Sequence, residues 1–373
     1  MNMGRWAEGG LLAGLVLLLF CFPGESAQGA RQGLLLCRDL LIPALFPFFV
    51  LSSLLIETGW AGRLVRPLAR WARPLLGVGG AGTTALLLGL IGGYPVGLRT
   101  LASLRQRGDC SQAEARRAAL FCNNCGPAFF IGAAGTGVFG SREAGFLLLG
   151  ANLLAVLVLS VGFRLLGGPV PAGRVAVETK AVPLAEAFPG CVSSAFTSVL
   201  GVCGYVVLFS VLAALARRAG VLGGLQQVLC LLFPGSQGEV LARSLTLGLL
   251  ELSTGTAALK EAAGCAAALP LASFLLGWGG LSVHGQSLPF LAQAGGRTRT
   301  YLAAKAVQGL LAAGITRLLL VVVPLSLPAM ASLGPLLSPP LPCRVLTVLW
   351  LWMGGTFFFW GRKRGGNGRQ NRV

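Results

Sequence analysis

The stretch that decides the fold is residues 80–104, GAGTTALLLGLIGGYPVGLRTLASL, in which Gly92-Gly93-Tyr94-Pro95 interrupts an apolar run. A proline has no N–H to give to a helix, and lipid cannot hydrogen-bond an opened backbone. An interruption of this kind must therefore line a cavity that protein encloses. Three further apolar segments are interrupted midway in the same manner: residues 112–138, 238–263 and 268–294. The four segments together predict a membrane protein built around broken helices.

The composition supports a membrane protein and excludes several other classes. Of 373 residues, 54% are hydrophobic and only 11% are charged, whereas soluble chains carry about 25% charged residues. This excludes a cytosolic enzyme, a nucleic-acid-binding domain and a disordered chain. The net charge of +18 comes from short basic clusters between apolar runs, as topology signals do. The lipid bilayer is therefore the expected partner, and nucleic acid is not.

Several uninterrupted runs are long enough to cross a bilayer, which takes about 20 apolar residues. These runs are residues 40–58, 143–166, 191–216, 300–323 and 343–360. Residues 9–23 form either a first membrane helix or a cleaved signal peptide, since the apolar core is short and small residues follow it. Either choice leaves residue 24 outside. Residues 60–76 alternate Arg with apolar side chains, which is typical of a helix that lies flat at the membrane interface.

The order of these elements repeats in two halves, each read as spanning helix, interfacial helix, re-entrant hairpin, broken helix and spanning helix. Three crossings per half make the repeats inverted. The predicted fold is an all-α polytopic membrane protein with about eight spans, two re-entrant hairpins and two amphipathic helices. We divide the chain into an N-terminal helix with an external segment (1–38), a first repeat (39–166), a cytoplasmic linker (167–190), a second repeat (191–323) and a C-terminal helix with a basic tail (324–373).

The basic residues predict the orientation. With the first residues inside, 20 of the 30 Lys and Arg residues fall in inside loops or the tail, and Lys305 is counted among them. Cytoplasmic loops carry such an excess. We therefore expect a multi-pass protein of the cell membrane with both termini in the cytoplasm.

Polar residues in the interrupted segments are the candidate site. Glu251 is the most informative, because a carboxylate near mid-bilayer is costly and faces a cavity or a partner. It either binds a cation or a donor-rich solute, carries a coupling proton, or makes a structural hydrogen bond to the opposed helix break. Asn123 and Asn124 either contact a solute or satisfy carbonyls freed by Pro127. His284, flanked by Ser282 and Gln286, is either a pH-sensitive member of the site or a packed imidazole bonded to a carbonyl.

Metal, redox and hydrolytic chemistry find little support. Cys122 and Cys125 have C-x-x-C spacing, but a second cysteine pair is missing and the setting is an apolar helix. Ser282 and His284 have no acidic orienter near them in sequence. We therefore predict no cofactor, no metal and no enzymatic activity.

Five motifs resemble the YlbJ-type sporulation integral membrane proteins, which belong to the nucleoside-recognition (Gate) group. The motifs are Ile42-Pro43-Ala44-Leu45-Phe46-Pro47-Phe48-Phe49, Gly92-Gly93-Tyr94-Pro95-Val96-Gly97, Asn123-Asn124-Cys125-Gly126-Pro127, Leu250-Glu251-Leu252-Ser253-Thr254-Gly255 and residues 274–286. The resemblance runs over about residues 10–325. The element order is also similar to that of the concentrative nucleoside transporters.

In that transporter fold, two hairpin tips and two unwound helices meet to hold the solute. Carried onto this sequence, the resemblance implies tips at Gly93, Tyr94, Pro95, Glu251, Ser253 and Thr254, and unwound positions at Asn123, Asn124, Ser282, His284 and Gln286. The acidic residue of the nucleoside transporters' first hairpin and first broken helix is missing here, so neither nucleoside nor sodium follows from the resemblance.

The resemblance implies a sporulation-associated membrane protein that is a transporter or channel for a small polar solute bound at the membrane midplane. The alternative is a non-transporting structural or assembly protein of the spore envelope. The solute's identity and a homo-oligomeric state are both left open by the sequence.

Overall fold

A computed structural model describes residues 3–60, 63, 72–168, 170 and 182–322, and all regular secondary structure in these ranges is helical. The helices are α1 (Met3–Cys21), α2 (Pro23–Leu36), α3 (Ile42–Glu57), α4 (Gly80–Gly92), α5 (Val96–Gln106), α6 (Gln112–Ala118), α7 (Arg142–Gly167), α8 (Leu184–Arg218), α9 (Val221–Cys230), α10 (Gly238–Leu250), α11 (Leu252–Ala258), α12 (Ala268–Trp278), α13 (Gly280–Gln293) and α14 (Thr298–Val322). Two π-helical segments (Cys37–Leu41 and Ala128–Val138) and a 3₁₀ turn (Leu259–Ala262) complete them.

Four helices in the described ranges are long and apolar enough to cross a membrane: Pro23–Leu55, Arg142–Gly167, Leu184–Arg218 and Thr298–Val322. Their outer faces carry exposed apolar side chains, as at Leu165 and Leu318. Buried positions, in contrast, include many polar side chains. An apolar exterior around a partly polar interior suits a protein that is solvated by lipid. The expectation of an all-helical, multi-pass membrane protein is confirmed at this level.

The first long helix begins earlier than the sequence predicted. The spanning run was expected from residue 40, after an external segment, but α2, the π-helical segment and α3 follow one another from Pro23 to Glu57 without a turn. Gly29 and Gly33 explain this: an added Cβ would lie 2.9 Å from Ser210 O and 2.9 Å from Val207 Cα, respectively. The G-x-x-x-G spacing lets the backbones of α2 and α8 approach closely, and this packing supports a helix that is polar in composition.

Helix α8 runs antiparallel to this first long helix along its length. Gly29 contacts α8 near residue 211, the Cys37 thiol lies 3.9 Å from Cys203 O, and the rings of Phe46 and Phe196 meet edge-on at 6.4 Å. Like the first helix, α8 begins before its predicted run and is 35 residues long. The two helices form one side of the central region.

All four interrupted segments are broken, and the first three breaks lie where the sequence predicted. The unwound positions predicted at Ser282, His284 and Gln286 are wrong: these residues are helical within α13, because the fourth break falls earlier, at Gly279, whose φ is +91°. Gly93-Tyr94-Pro95 separates α4 from α5, and residues 119–127 separate α6 from the π-helical segment. Glu251 separates α10 from α11, and Gly279 separates α12 from α13. We call these positions breaks 1 to 4, in chain order.

Other expectations lie partly or wholly outside the described residues. The interfacial segment 60–76 and the linker 167–190 are described only in part, and the last spanning run (343–360) and the basic tail are not described. Helix α9 occupies the position expected for the second amphipathic helix, directly after Gly220, whose φ of +78° ends α8. The inverted symmetry and the orientation of the termini stay predictions.

Candidate functional site where four helix breaks meet

Breaks 1 and 2 are in direct contact. Gly93 has a φ of +75°, and a Cβ added there would lie 3.0 Å from the Gly126 nitrogen. Gly89 and Gly97, on the two helices that flank break 1, both face the carbonyl oxygen of Cys122 so closely that a Cβ on either would overlap it. Only glycine permits such an approach of one backbone to another. The two helices α4 and α5 therefore close around the start of break 2.

Breaks 3 and 4 repeat this arrangement with different residues. Gly280 has a φ of +78°, and a Cβ there would lie 3.0 Å from the Leu252 nitrogen and 3.1 Å from Gly248 O. Gly255 faces Gly248 across α10 and α11 with no room for a side chain. Glycine again allows backbone to meet backbone.

Tyr94 joins the two pairs of breaks. Its hydroxyl donates to Leu276 O at 3.1 Å, at the end of α12. A Cβ on Gly279 would lie 3.2 Å from the same hydroxyl. All four interruptions therefore converge at one place in the structure, as the sequence predicted.

A narrow cavity of about 50 Å³ lies between the breaks. Of the predicted site residues, Gly93, Tyr94, Glu251, Ser253, Ser282 and Gln286 line it. Apolar side chains close the rest, including Leu45, Phe49, Phe129, Val202 and Val206. A cavity needs at least about 10–15 Å³ to hold one water molecule, so this one has room for a few. Polar side chains from both halves of the chain therefore line the cavity.

Glu251 is buried, with 3% of its surface exposed, and its carboxylate caps the helix that follows. Oε1 accepts the backbone N–H of Ser253 at 2.9 Å, and Oε2 accepts that of Thr254 at 2.6 Å. A carboxylate has about four lone-pair sites, so acceptor capacity remains toward the cavity that Glu251 lines. The structural hydrogen bonds of Glu251 therefore go to the helix that follows it and not, as expected, to the opposed helix break. The solute-binding role stays a prediction.

Asn123 and Asn124 lie in a buried polar network beside the cavity rather than in its lining. The Asn123 amide donates to Ser287 Oγ at 3.0 Å and to Tyr301 OH at 2.9 Å. The Asn124 amide donates to Phe121 O at 2.8 Å, which satisfies a carbonyl freed at the break.

Lys305 and Gln308 complete this network. The Lys305 ammonium donates to Asn123 O at 2.7 Å and to Gln308 Oε1 at 2.8 Å, while the Gln308 amide donates to Asn124 Oδ1 at 3.0 Å. Lys305 has no exposed surface. Its assignment to an inside loop was therefore wrong, because the residue points into the protein from within α14.

His284 lies apart from the cavity lining, between two aromatic rings. Its ring centroid is 4.4 Å from that of Trp278 and 5.5 Å from that of Tyr301, edge-on in both cases. Neither ring nitrogen has a hydrogen-bond partner among the described residues. Pro95 and Thr254 also lie outside the lining, although both flank residues that belong to it.

The sequence analysis missed the contribution of α14 and of a second polar pair. Tyr301, Lys305, Gln308 and Thr316 are all buried on one face of α14. Their spacing of three, four and eight residues was a readable signal for that face. The second pair is Asn152 and Ser273, whose amide and hydroxyl are 3.0 Å apart between α7 and α12.

The thiols of Cys122 and Cys125 are both buried and free. Cys125 lines the cavity, and Cys122 supplies the carbonyl between α4 and α5. No cluster of three metal-binding side chains occurs within the ranges that the structure describes.

The chain is similar to known proteins at two levels, a family model and a full-length relative. Residues 40–142, which contain breaks 1 and 2, match the family model described as "Gate: Nucleoside recognition". With its long apolar helices the chain is a multi-pass integral membrane protein, and its residues 40–142 are similar to the Gate family.

One relative of the chain is the "Sporulation integral membrane protein YlbJ" of Bacillus subtilis (strain 168). The two chains are 29% identical over 332 residues, which cover 82% of this chain and 80% of the relative. The chain is YlbJ-like, and the resemblance read from its motifs is confirmed. No solved structure matches the chain.

Proposed function

We propose that this protein binds a small polar solute in the cavity between the four breaks and passes it across the membrane of a sporulating cell. The observation that carries the proposal is the cavity itself, which is lined by residues of breaks 1 to 3 and of helix α13, directly after break 4. Unwound backbone is tolerated at membrane depth where it lines a cavity, and transporters place their binding sites at such positions. The sporulation context comes from the name of the relative. We assign the protein no catalytic step.

The chemistry of the lining favours a solute that both donates and accepts hydrogen bonds. Glu251 offers acceptor oxygens, Ser253 and Ser282 offer hydroxyls, and Gln286 offers an amide. Residues with these groups come mainly from the second half of the chain, while Gly93 and Tyr94 of the first half form the opposite wall.

A solute larger than a few water molecules requires the breaks to separate. In the proposed cycle, α4–α5 and α10–α11 act as re-entrant hairpins of two inverted repeats, and their tips move apart to admit the solute. Gly93 packs against Gly126, and Leu252 against Gly280, with backbone touching backbone and no side chain in between. The tips can therefore move apart at these points without disengaging interlocked side chains.

Thermal unfolding of the purified protein with a panel of small polar solutes, uridine included, tests binding. A ligand that binds only the folded state raises its stability. We expect one or more solutes to raise the melting temperature of the wild type, and Gln286→Ala to abolish the rise. Gln227→Ala, an exposed glutamine on α9, is the matched control and keeps it. Uptake of that solute into proteoliposomes then tests transport, and no shift with any solute counts against the proposal.

A non-transporting assembly protein of the spore envelope is the second candidate. The tight backbone contacts at the breaks favour it, as does the carboxylate of Glu251, both oxygens of which serve the helix that follows. Complementation of a Bacillus subtilis strain that lacks YlbJ separates the two. If Ser282→Leu fills the cavity and still restores spore formation to the wild-type level, the assembly role is supported and solute passage is not.

A further inference from the structure

The Lys305 ammonium is held entirely by uncharged groups. Two of its three N–H donors are taken by Asn123 O at 2.7 Å and Gln308 Oε1 at 2.8 Å. The ammonium also lies 5.3 Å from the centre of the Tyr94 ring, within the range of a cation–π contact. Two neutral oxygens and an aromatic face therefore surround one positive charge.

The ion pairs recorded between described residues join Arg38 to Asp39, Arg218 to Glu25 and Arg243 to Glu261, and none of them includes Lys305. Lys305 has no exposed surface and sits within a helix that is long and apolar enough to span the membrane. A charged side chain in such a place is costly and marks a functional site. Here the charge is compensated by oriented dipoles rather than by a carboxylate.

In other proteins, backbone carbonyl oxygens bind monovalent cations by replacing the hydration shell of the ion. The neutral oxygens around the Lys305 ammonium are groups of the same kind. Asn123 lies in the unwound stretch after α6, so its carbonyl oxygen stands outside a helix and can face a cation. The site would therefore attract a cation even if Lys305 were absent.

We propose that Asn123 O, Gln308 Oε1 and the Tyr94 ring form a monovalent-cation site that this chain fills permanently with the ammonium of Lys305. The protein accordingly needs no sodium or other free cation to hold breaks 1 and 2 in place. The cation site is inferred from these contacts alone. Its role in solute passage rests on the proposed function.

The position of Tyr94 connects this site with the cavity. One face of its ring meets Lys305, its hydroxyl holds Leu276 O, and the residue forms part of the cavity lining. The tethered ammonium thus fixes the wall against which a solute would bind.

Replacing sodium with choline tests the wild-type protein directly. Choline is a quaternary ammonium without N–H donors, so it cannot donate to Asn123 O or to Gln308 Oε1. We expect the melting temperature to be the same in sodium chloride and in choline chloride at equal ionic strength. A higher melting temperature in sodium overturns the proposal, because it shows that a free cation still binds.

Chemical rescue tests the emptied site. Lys305→Ala removes the ammonium and leaves Asn123 O and Gln308 Oε1, so we expect a lower melting temperature that methylammonium or ethylammonium partly restores. At ten times its dissociation constant, a cation shifts folding about elevenfold, or roughly 2 °C for a chain of this size. Tetramethylammonium has no N–H to donate and should not shift the melting temperature of Lys305→Ala. The control variant is Lys260→Ala, at an exposed lysine, and none of these salts should shift its melting temperature.

Equal responses of Lys305→Ala to methylammonium and tetramethylammonium would overturn the proposal. If Lys305→Ala does not fold, the wild-type comparison in sodium and choline needs no variant and decides the proposal. The outcome is independent of the solute panel: selective rescue without solute binding supports the cation site and leaves the proposed function unsupported. Solute binding without selective rescue supports the proposed function and overturns the cation site.

Discussion

Replacing Glu251 by Gln tests whether its carboxylate holds break 3 in shape. In the wild type each carboxylate oxygen accepts a different backbone N–H, from Ser253 at 2.9 Å and from Thr254 at 2.6 Å. A glutamine keeps one acceptor oxygen and turns its NH₂ toward the other N–H, which then has no acceptor. A buried donor left unsatisfied costs about 1–3 kcal/mol.

The loss is offset in part, because a neutral amide is cheaper to bury than a carboxylate. We therefore expect a net destabilisation of about 2 kcal/mol, which corresponds to roughly 3 °C in melting temperature for a chain of this length. Thermal unfolding of the purified protein in detergent or nanodiscs measures it.

Glu239→Gln is the matched control, since Glu239 is exposed near the start of α10. We expect it to leave the melting temperature unchanged. If Glu251→Gln is as stable as the wild type or more stable, the carboxylate does not act as the cap described here, and the argument for break 3 fails.

Two further substitutions probe the contacts between breaks. Gly97→Ala places a methyl group on the carbonyl oxygen of Cys122. We expect the free energy of unfolding to fall by about 3 kcal/mol or more, because the backbone on both sides cannot yield. The control is Gly150→Ala, at a helical glycine with open space around it, which should be neutral or stabilising by up to about 1 kcal/mol. Equal stability of the two variants would contradict the contact. Tyr94→Phe removes the hydrogen bond to Leu276 O, and a loss of about 1–2 kcal/mol in denaturant unfolding is expected; an unchanged midpoint would show that this bond does not couple the two pairs of breaks.

The broken segments could be predicted because their signal is local. Gly93, Pro95, Gly126 and Pro127 oppose helix continuation through their own backbone properties. The meeting of the breaks also followed from one physical requirement, since opened backbone in lipid must be covered by protein.

The role of Lys305 could not be read from its neighbours. It stands seven residues after Thr298, where α14 begins, near Arg297 and Arg299, so it resembles part of a basic cluster at a membrane boundary. Its partner Asn123 lies 182 positions away along the chain. Only the tertiary structure shows that the two meet.

The early start of the first long helix was missed for a similar reason. Glu25, Arg31 and Arg38 make α2 and the π-helical segment after it polar, which favours an external segment by composition. The close approach of Gly29 and Gly33 to α8 overrides that preference. The G-x-x-x-G spacing was present in the sequence, but it acquires meaning only beside an apolar partner helix.

An experimental structure of the protein in a lipid nanodisc, by electron cryo-microscopy, tests the central claim most directly. The account predicts Gly93 against Gly126, Leu252 against Gly280, and one cavity lined by Tyr94 between the pairs. Breaks that lie apart from one another, or that face the surrounding lipid, would contradict it.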